Sequence, residues 1–408
     1  MGRRILPHLP LVTPRAACDF PAPVRPEGDP QPSAPRSFYR PELDGLRFLA
    51  FLAVYVNHTV MFSASTHHQR VSETMVRVLG TIGTSGAFGV DLFYVLSSYL
   101  ITELLLRERR AKGSLDVKAF YVRRVLRIWP LYLTFLALAY GLTFVLPSEQ
   151  LSTKHLVAFL FFSGNWMYMA QSVTTVAAPL WSVSVEEQFY LLWPWAVRRA
   201  PVKRIVAIAI GMMVVGMAAR CGMTLAGIVE PWISKNSLTR ADGIACGVLL
   251  AALLDGGLPK LTGAARGGIF VASLMLLLGV AGTFHLFEPP FSVAGVTLGW
   301  WLGAVACAGV VVSVLGASGG PVAILRSKPL VYLGRISYGL YVWHQVGLLL
   351  GNWLFPDFQT SPKHWAMRIA LGFGVTVGLA AVSYRFLELP FLRLKQKRFT
   401  VVPSRPEG

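Results

Sequence analysis

Arg47 and His58 lie eleven positions apart in LDGLRFLAFLAVYVNHTV, an apolar run long enough to cross a bilayer. On an α-helix that spacing is three turns plus about 20°, so both side chains share one face with ~16 Å between them along the axis. A guanidinium fork suits phosphate oxygens, whereas an imidazole can take a proton from a hydroxyl or carry an acyl group covalently. Ionisable groups at bilayer depth are costly, which favours a functional reading. The plain alternative for His58 is a hydrogen-bonded core histidine.

Three further segments carry chemistry-bearing residues. FYVRRVLRIWPLYL holds Arg123, Arg124 and Arg127, either a membrane-surface anchor or a clamp for a polyphosphate. PLWSVSVEEQFYLLWPW places Glu186 and Glu187 side by side near the start of a short apolar helix, with Ser182 or Ser184 as its cap. Adjacent helical residues diverge by ~100°, so one carboxylate can serve the helix end while the other faces the interior. GRISYGLYVWH sets Ser337, Tyr338, Tyr341 and His344 along a late span. The plain reading there is hydrogen-bonding glue between helices. Asp91 reads as a paired structural carboxylate, and Arg385 and Glu388, one turn apart, as an ion pair.

The elements that must position these residues are membrane helices. Of 408 residues, 54% are hydrophobic and only 14% charged, the balance of an all-α polytopic bundle. The net charge of +18 sits largely in short loops between apolar stretches, as the positive-inside rule requires, and calls for no nucleic acid. Cys18, Cys221, Cys246 and Cys307 are scattered, which argues against structural zinc or a disulfide framework. Apolar spans recur at 45–65, 84–106, 128–147, 154–171, 187–197, 203–226, 238–255, 268–287, 294–316, 330–352 and 365–387.

The loop 107–127 carries eight basic residues and should be cytoplasmic, as should the loop at Arg198–Arg204. An even number of crossings must separate them, so 128–147, 154–171 and 187–197 cannot all span. Either the last belongs to a crossing around 180–197, with 154–171 re-entrant or superficial, or the reverse holds. About ten crossings with both termini cytoplasmic satisfy the charge pattern. Arg47 then lies at the cytoplasmic end of the first span, with His58 in its middle to outer half. Residues 1–40 read as a disordered cytoplasmic tail, 41–392 as the membrane domain, and 393–408 as a basic cytoplasmic tail.

LDGLRFLAFLAVYVNH, FGVDLFYVLSSYLIT, FYVRRVLRIWPLYL, PLWSVSVEEQFYLLWP, GRISYGLYVWH and YRFLELP occur in that order across about residues 40–392. Together they resemble the acyltransferase-3 family of integral membrane O-acyltransferases. The resemblance implies a ten-helix bundle in the bacterial inner membrane. Its acyl donor is acyl-CoA, most often acetyl-CoA. The acceptor is a hydroxyl on a cell-surface glycan, a lipid-linked sugar or an exported small molecule. Membrane lipid, donor and acceptor are the implied partners, and no metal is implied.

The family's Arg-x10-His pattern falls on Arg47 and His58, and its arginine-rich motif on Arg123, Arg124 and Arg127. In this reading those arginines hold the donor's phosphates, with Arg47 assisting. His58 acts as general base or acyl carrier, and Glu186 or Glu187 orients the imidazole or binds the acceptor. Two departures stand out: Ser98 occupies a position that is usually glycine, and no hydrolase-like extracytoplasmic domain is appended. The membrane domain would then complete the transfer itself. The rival class is a transporter or flippase of a glycan or lipid-linked substrate; a catalytically silent scaffold is a third. Neither an internal repeat nor a pair of broken helices supports the rival class.

Overall fold

The computed structural model describes residues 39–64, 72–228, 230–284, 286–287, 291–359 and 361–399. Of the expected tails at 1–40 and 393–408, residues 1–38 and 400–408 lie outside these residues, while 393–399 belong to a helix and not to a tail. Among the described residues there is no strand. The chain opens with α1 (Pro41–Ala64), α2 (Glu73–Gly86), α3 (Phe88–Lys112) and α4 (Val117–Leu142). Two short helices, α5 (Thr153–Leu160) and α6 (Gly164–Ala170), precede α7 (Leu180–Arg199) and α8 (Val202–Leu225). Then come α9 (Trp232–Lys235), α10 (Ala241–Leu254), α11 (Gly263–Thr283) and α12 (Val293–Val314). The last are α13 (Pro321–Leu325), α14 (Lys328–Arg335), α15 (Ser337–Leu354), α16 (Pro362–Ser383) and α17 (Leu389–Phe399).

Local chemistry fixes several of these ends. Ser72, Asp116, Ser152, Thr262, Ser292 and Ser361 each accept a hydrogen bond from a backbone N–H in the first turn of the helix that follows. Gly113 closes α3 in the left-handed conformation (φ 71°), which a side chain would resist. Between α16 and α17 the chain makes one π-helical turn, Tyr384–Glu388. The extra residue in that turn rotates everything after it relative to α16.

Six helical stretches are long and apolar enough to cross a membrane, which makes this a multi-pass membrane protein. They are α2 with α3, α4, α8, α11, α12, and α16 with its continuation to Lys395. Helices α1, α7 and α15 fall outside that set although they have 24, 20 and 18 residues. These three carry Arg47 and His58, the two glutamates, and His344. The candidate chemistry is therefore shared between these three helices and the apolar span α4, which carries Arg123, Arg124 and Arg127.

The two segments left open, 154–171 and 187–197, are built differently, although neither belongs to the six apolar stretches. Helices α5 and α6 have eight and seven residues, broken around Phe162, which has a positive φ of 52°. At 1.5 Å per residue each spans roughly 12 Å, far less than a hydrocarbon core. Residues 180–199 instead form one continuous helix. The expected span 330–352 also divides, into α14 and α15, because the first of these ends at Ile336.

Helix α1 sits deep in the bundle: Leu43, Leu46, Ala50, Phe51, Val54 and Tyr55 are all buried. It packs on α2, α3, α14 and α15. Against α3 lies α10, where a Cβ on Gly247 would come within 2.0 Å of the Ser98 hydroxyl oxygen. Ser98 donates to the Tyr94 carbonyl at 2.6 Å. The serine that replaces the family's glycine is therefore accommodated by a glycine on the facing helix, and the close approach survives.

Asp91 is paired, as expected: Arg240 holds it at 2.8 Å while lying 4.1 Å from the centre of the Trp300 ring. A second buried pair, Arg220 with Asp242 at 2.5 Å, joins α8 to α10. Four charges deep in a bundle would be prohibitive alone, and pairing offsets much of their desolvation. The expected Arg385–Glu388 pair is not made. The π turn directs Glu388 into the protein, beside Gly339, while Arg385 lies near the Phe386 ring.

Candidate active site

Three of the predicted cations meet around one cavity. Arg47, Arg124, Arg127 and Glu186 line a space of about 690 Å³, partly open to solvent, together with Ser97, Tyr190, Ser337, Tyr338 and Tyr341. Its walls come from α1, α3, α4, α7 and α15. Arg47 keeps a long contact with Asp44, 3.8 Å, on its own helix. The Arg124 guanidinium lies 5.7 Å from the Phe120 ring centre and 5.5 Å from that of Tyr190. Its Nε is buried without a hydrogen-bond partner. The Tyr190 hydroxyl donates to Glu186.

Arg123 is placed elsewhere. Its guanidinium donates to Glu108 at 2.9 Å, and the same carboxylate accepts from the Asp116 backbone N–H at 3.2 Å. That contact ties the start of α4 to the end of α3. Glu187, about 100° around α7 from Glu186, is likewise absent from the cavity lining, and its Oε1 is buried with no hydrogen-bond partner.

At the inner wall, the Tyr341 hydroxyl hydrogen-bonds with Ser182 at 2.7 Å and donates to the Pro179 carbonyl at 3.2 Å. One turn further along α15 is His344, fully buried beside Phe51 and Tyr341. His344 Nε2 lies 2.8 Å from His58 Nδ1. The rings are 5.0 Å apart, centre to centre, and inclined by 4°. Two imidazoles joined edge to edge in one plane through that nitrogen contact have this geometry; face-to-face stacking does not.

The partners determine the tautomers. His344 Nδ1–H donates to the Tyr341 carbonyl at 2.6 Å, so a neutral His344 presents a bare Nε2. His58 must then donate from Nδ1, which leaves its own Nε2 as a free acceptor. Gln345 lies 3.2 Å from both nitrogens of the contact. His58 thus has the proton arrangement of a general base: one nitrogen anchored and the other available. His344 is so placed that it can hold the His58 ring in position. His344→Ala should lower kcat by about 100-fold with little change in donor KM, measured by acetyl transfer at saturating donor. An equal rise in KM would mean that His344 serves the donor site instead.

A family model described as an acyltransferase domain matches residues 40–385 of the chain. The chain belongs to the acyltransferase-3 family. Among curated proteins, this family member is similar to the peptidoglycan O-acetyltransferase OatA of Listeria monocytogenes, with 27% identity over 406 residues, covering 91% of this chain and 60% of the relative. It is also similar to the O-acetyltransferase OatA of Staphylococcus aureus strain NCTC 8325, with 25% identity over 387 residues, covering 90% of this chain and 59% of the relative. The chain spans about three-fifths of the length of these curated relatives. No solved structure gives a significant match.

Five of the six motifs seen in the sequence thus place residues around one cavity, from α1, α3, α4, α7 and α15, while YRFLELP is not in its lining. The role of His344 was not singled out from the sequence. Its motif was visible, but nothing in the spacing of GRISYGLYVWH shows that α15 brings it against α1. Among the described residues no group of three or more His, Cys, Asp or Glu could hold a metal ion.

Proposed function

We propose that this protein is a membrane O-acyltransferase that moves an acetyl group from acetyl-CoA to a hydroxyl of a cell-surface or exported glycan. The observation that carries this reading is the cavity itself: three arginines line it, and it reaches Tyr341, one helical turn from the His58–His344 pair. Arg124 and Arg127 form no ion pair with a carboxylate among the described residues. Cations left so at a cavity wall favour an anionic occupant, and several phosphates on one ligand satisfy more than one of them.

In this reading both termini are cytoplasmic, the chain crosses the bacterial cell membrane about ten times, and residues 41–392 form the catalytic domain. The donor enters from the cytoplasmic side, its phosphates at Arg124 and Arg127 with Arg47 assisting. Its pantetheine arm runs inward past Tyr341, to bring the thioester beside the His58–His344 pair. The acceptor hydroxyl gives its proton to His58 Nε2 as its oxygen attacks the thioester carbonyl. A C–O bond forms, the C–S bond breaks, and the proton passes from His58 to the departing CoA thiolate. Anchoring Nδ1 on His344 keeps Nε2 in the form that accepts a proton.

The relative from Listeria monocytogenes is named for acetylating peptidoglycan, so a glycan hydroxyl is the acceptor we assign. The test is release of free CoA thiol from acetyl-CoA by membranes containing the protein, with and without peptidoglycan fragments as acceptor. Acceptor-dependent thiol release supports the proposal. No release above control membranes, with the protein present and folded, would instead favour a transport role.

A further inference from the structure

Residues 389–399 form a helix rather than trailing away from the bundle. Helix α17 packs along α4, which carries Arg124 and Arg127, and the π turn at Tyr384–Glu388 sets the rotation at which it arrives. Its first turns are apolar (Leu389, Phe391, Leu392), and its later ones are basic (Arg393, Lys395, Lys397). Lys395 is half-buried, and its charge lies within electrostatic reach of Arg127, Arg124, Arg123 and Arg47. Among the described residues Lys395, like Arg124 and Arg127, forms no ion pair.

A half-buried ammonium brought toward several guanidinium groups is unfavourable in a weakly polarisable setting unless an anion lies among them. Among the described residues, the acids nearby leave Arg124, Arg127 and Lys395 without an ion pair, for Asp44 and Glu108 are taken by Arg47 and Arg123. Glu186 is engaged by Tyr190, and Glu388 turns inward beside Gly339. An occupant with more than one negative charge would relieve the repulsion that these side chains cannot.

We propose that Lys395 on the C-terminal helix is part of the donor site, where it binds a phosphate at the nucleotide end of the acyl donor. This rests on the reading of the cavity as an acyl-CoA site. Lys395 is a compact charge on a flexible stem, suited to follow a phosphate as the donor seats, whereas Arg124 lies against the Phe120 and Tyr190 rings. The same phosphate chemistry could come from an anionic lipid headgroup at the cytoplasmic surface, which a basic helix also suits.

The experiment measures binding of radiolabelled acetyl-CoA to the purified full chain, first in lipid-free detergent and then in nanodiscs with or without anionic lipid. Turnover of S-acetylpantetheine, which lacks phosphate, is followed in parallel. Lys395→Ala should weaken acetyl-CoA binding by about tenfold both in lipid-free detergent and in nanodiscs with or without anionic lipid, and leave turnover of the phosphate-free S-acetylpantetheine unchanged within about twofold. Lys395→Arg keeps the charge and should recover most of the affinity, which separates a lost contact from a misfolded variant. Wild-type affinity in Lys395→Ala, or a loss seen only with anionic lipid, overturns the inference. If Arg127→Ala weakens binding while Lys395→Ala does not, the donor site stands without its lysine. If neither does, the acyl-CoA reading falls as well.

Discussion

His58→Ala should reduce acetyl transfer by about 10²–10⁴-fold, the range for removing a positioned general base, while acetyl-CoA binding stays within about twofold of wild type. The separation follows from geometry. His58 is absent from the cavity lining and meets the rest of the site through His344, so its loss removes proton transfer without removing a phosphate contact. His58→Gln tests the same point more finely, because an amide can occupy the position and bond to His344 but cannot take up a proton. It should be as inactive as the alanine variant. Stopped turnover with intact binding distinguishes these variants from damage to the donor site.

The opposite signature is expected for Arg124→Ala combined with Arg127→Ala. Each charge-assisted hydrogen bond is worth about 1.5–3 kcal/mol, so losing both should raise KM for acetyl-CoA by a factor on the order of 10²–10⁴. At donor concentrations that can still saturate the site, kcat should fall far less. Arg123→Ala makes a useful contrast. Arg123 is held by Glu108, so removing it leaves a buried carboxylate without its cation. Its main expected effect is on stability, read as a lower melting temperature in detergent, rather than on KM.

How much of this was legible in the sequence differs by level. The all-α membrane architecture follows from composition and span length, because a bilayer admits few ways to satisfy backbone hydrogen bonds. Pairing of Asp91 was legible for a similar reason: a carboxylate at such depth needs a cation, although which one depended on how α10 packs on α3. The Arg47–His58 relation was legible because both lie on one helix, where spacing fixes the face.

What spacing along one helix cannot do is assign partners between helices. Arg123 and Arg127, four residues apart, appear equivalent in FYVRRVLRIWPLYL, yet Glu108 on α3 draws the first aside while Arg124 and Arg127 reach the cavity. The adjacent glutamates diverge by about 100°, with Glu186 at the cavity and Glu187 off it, but neither serves the helix end and Ser182 and Ser184 are not its cap, because α7 begins earlier, at Leu180. The expected Arg385–Glu388 pair fails because a π turn breaks the α-helical spacing on which that expectation rests. His344 was hidden because its role depends on a contact 286 residues away in the chain. Lys395 was hidden because the basic run 393–408 reads as a tail until α17 is seen against α4.

Transfer of labelled acetyl from acetyl-CoA to a glycan acceptor tests the central claim most directly, in membranes containing wild-type protein, Arg47→Ala or His58→Ala at matched expression. The account predicts label on the acceptor with wild type, a loss in Arg47→Ala that added acetyl-CoA partly restores, and a loss in His58→Ala that it does not restore. Full activity in both variants would contradict it.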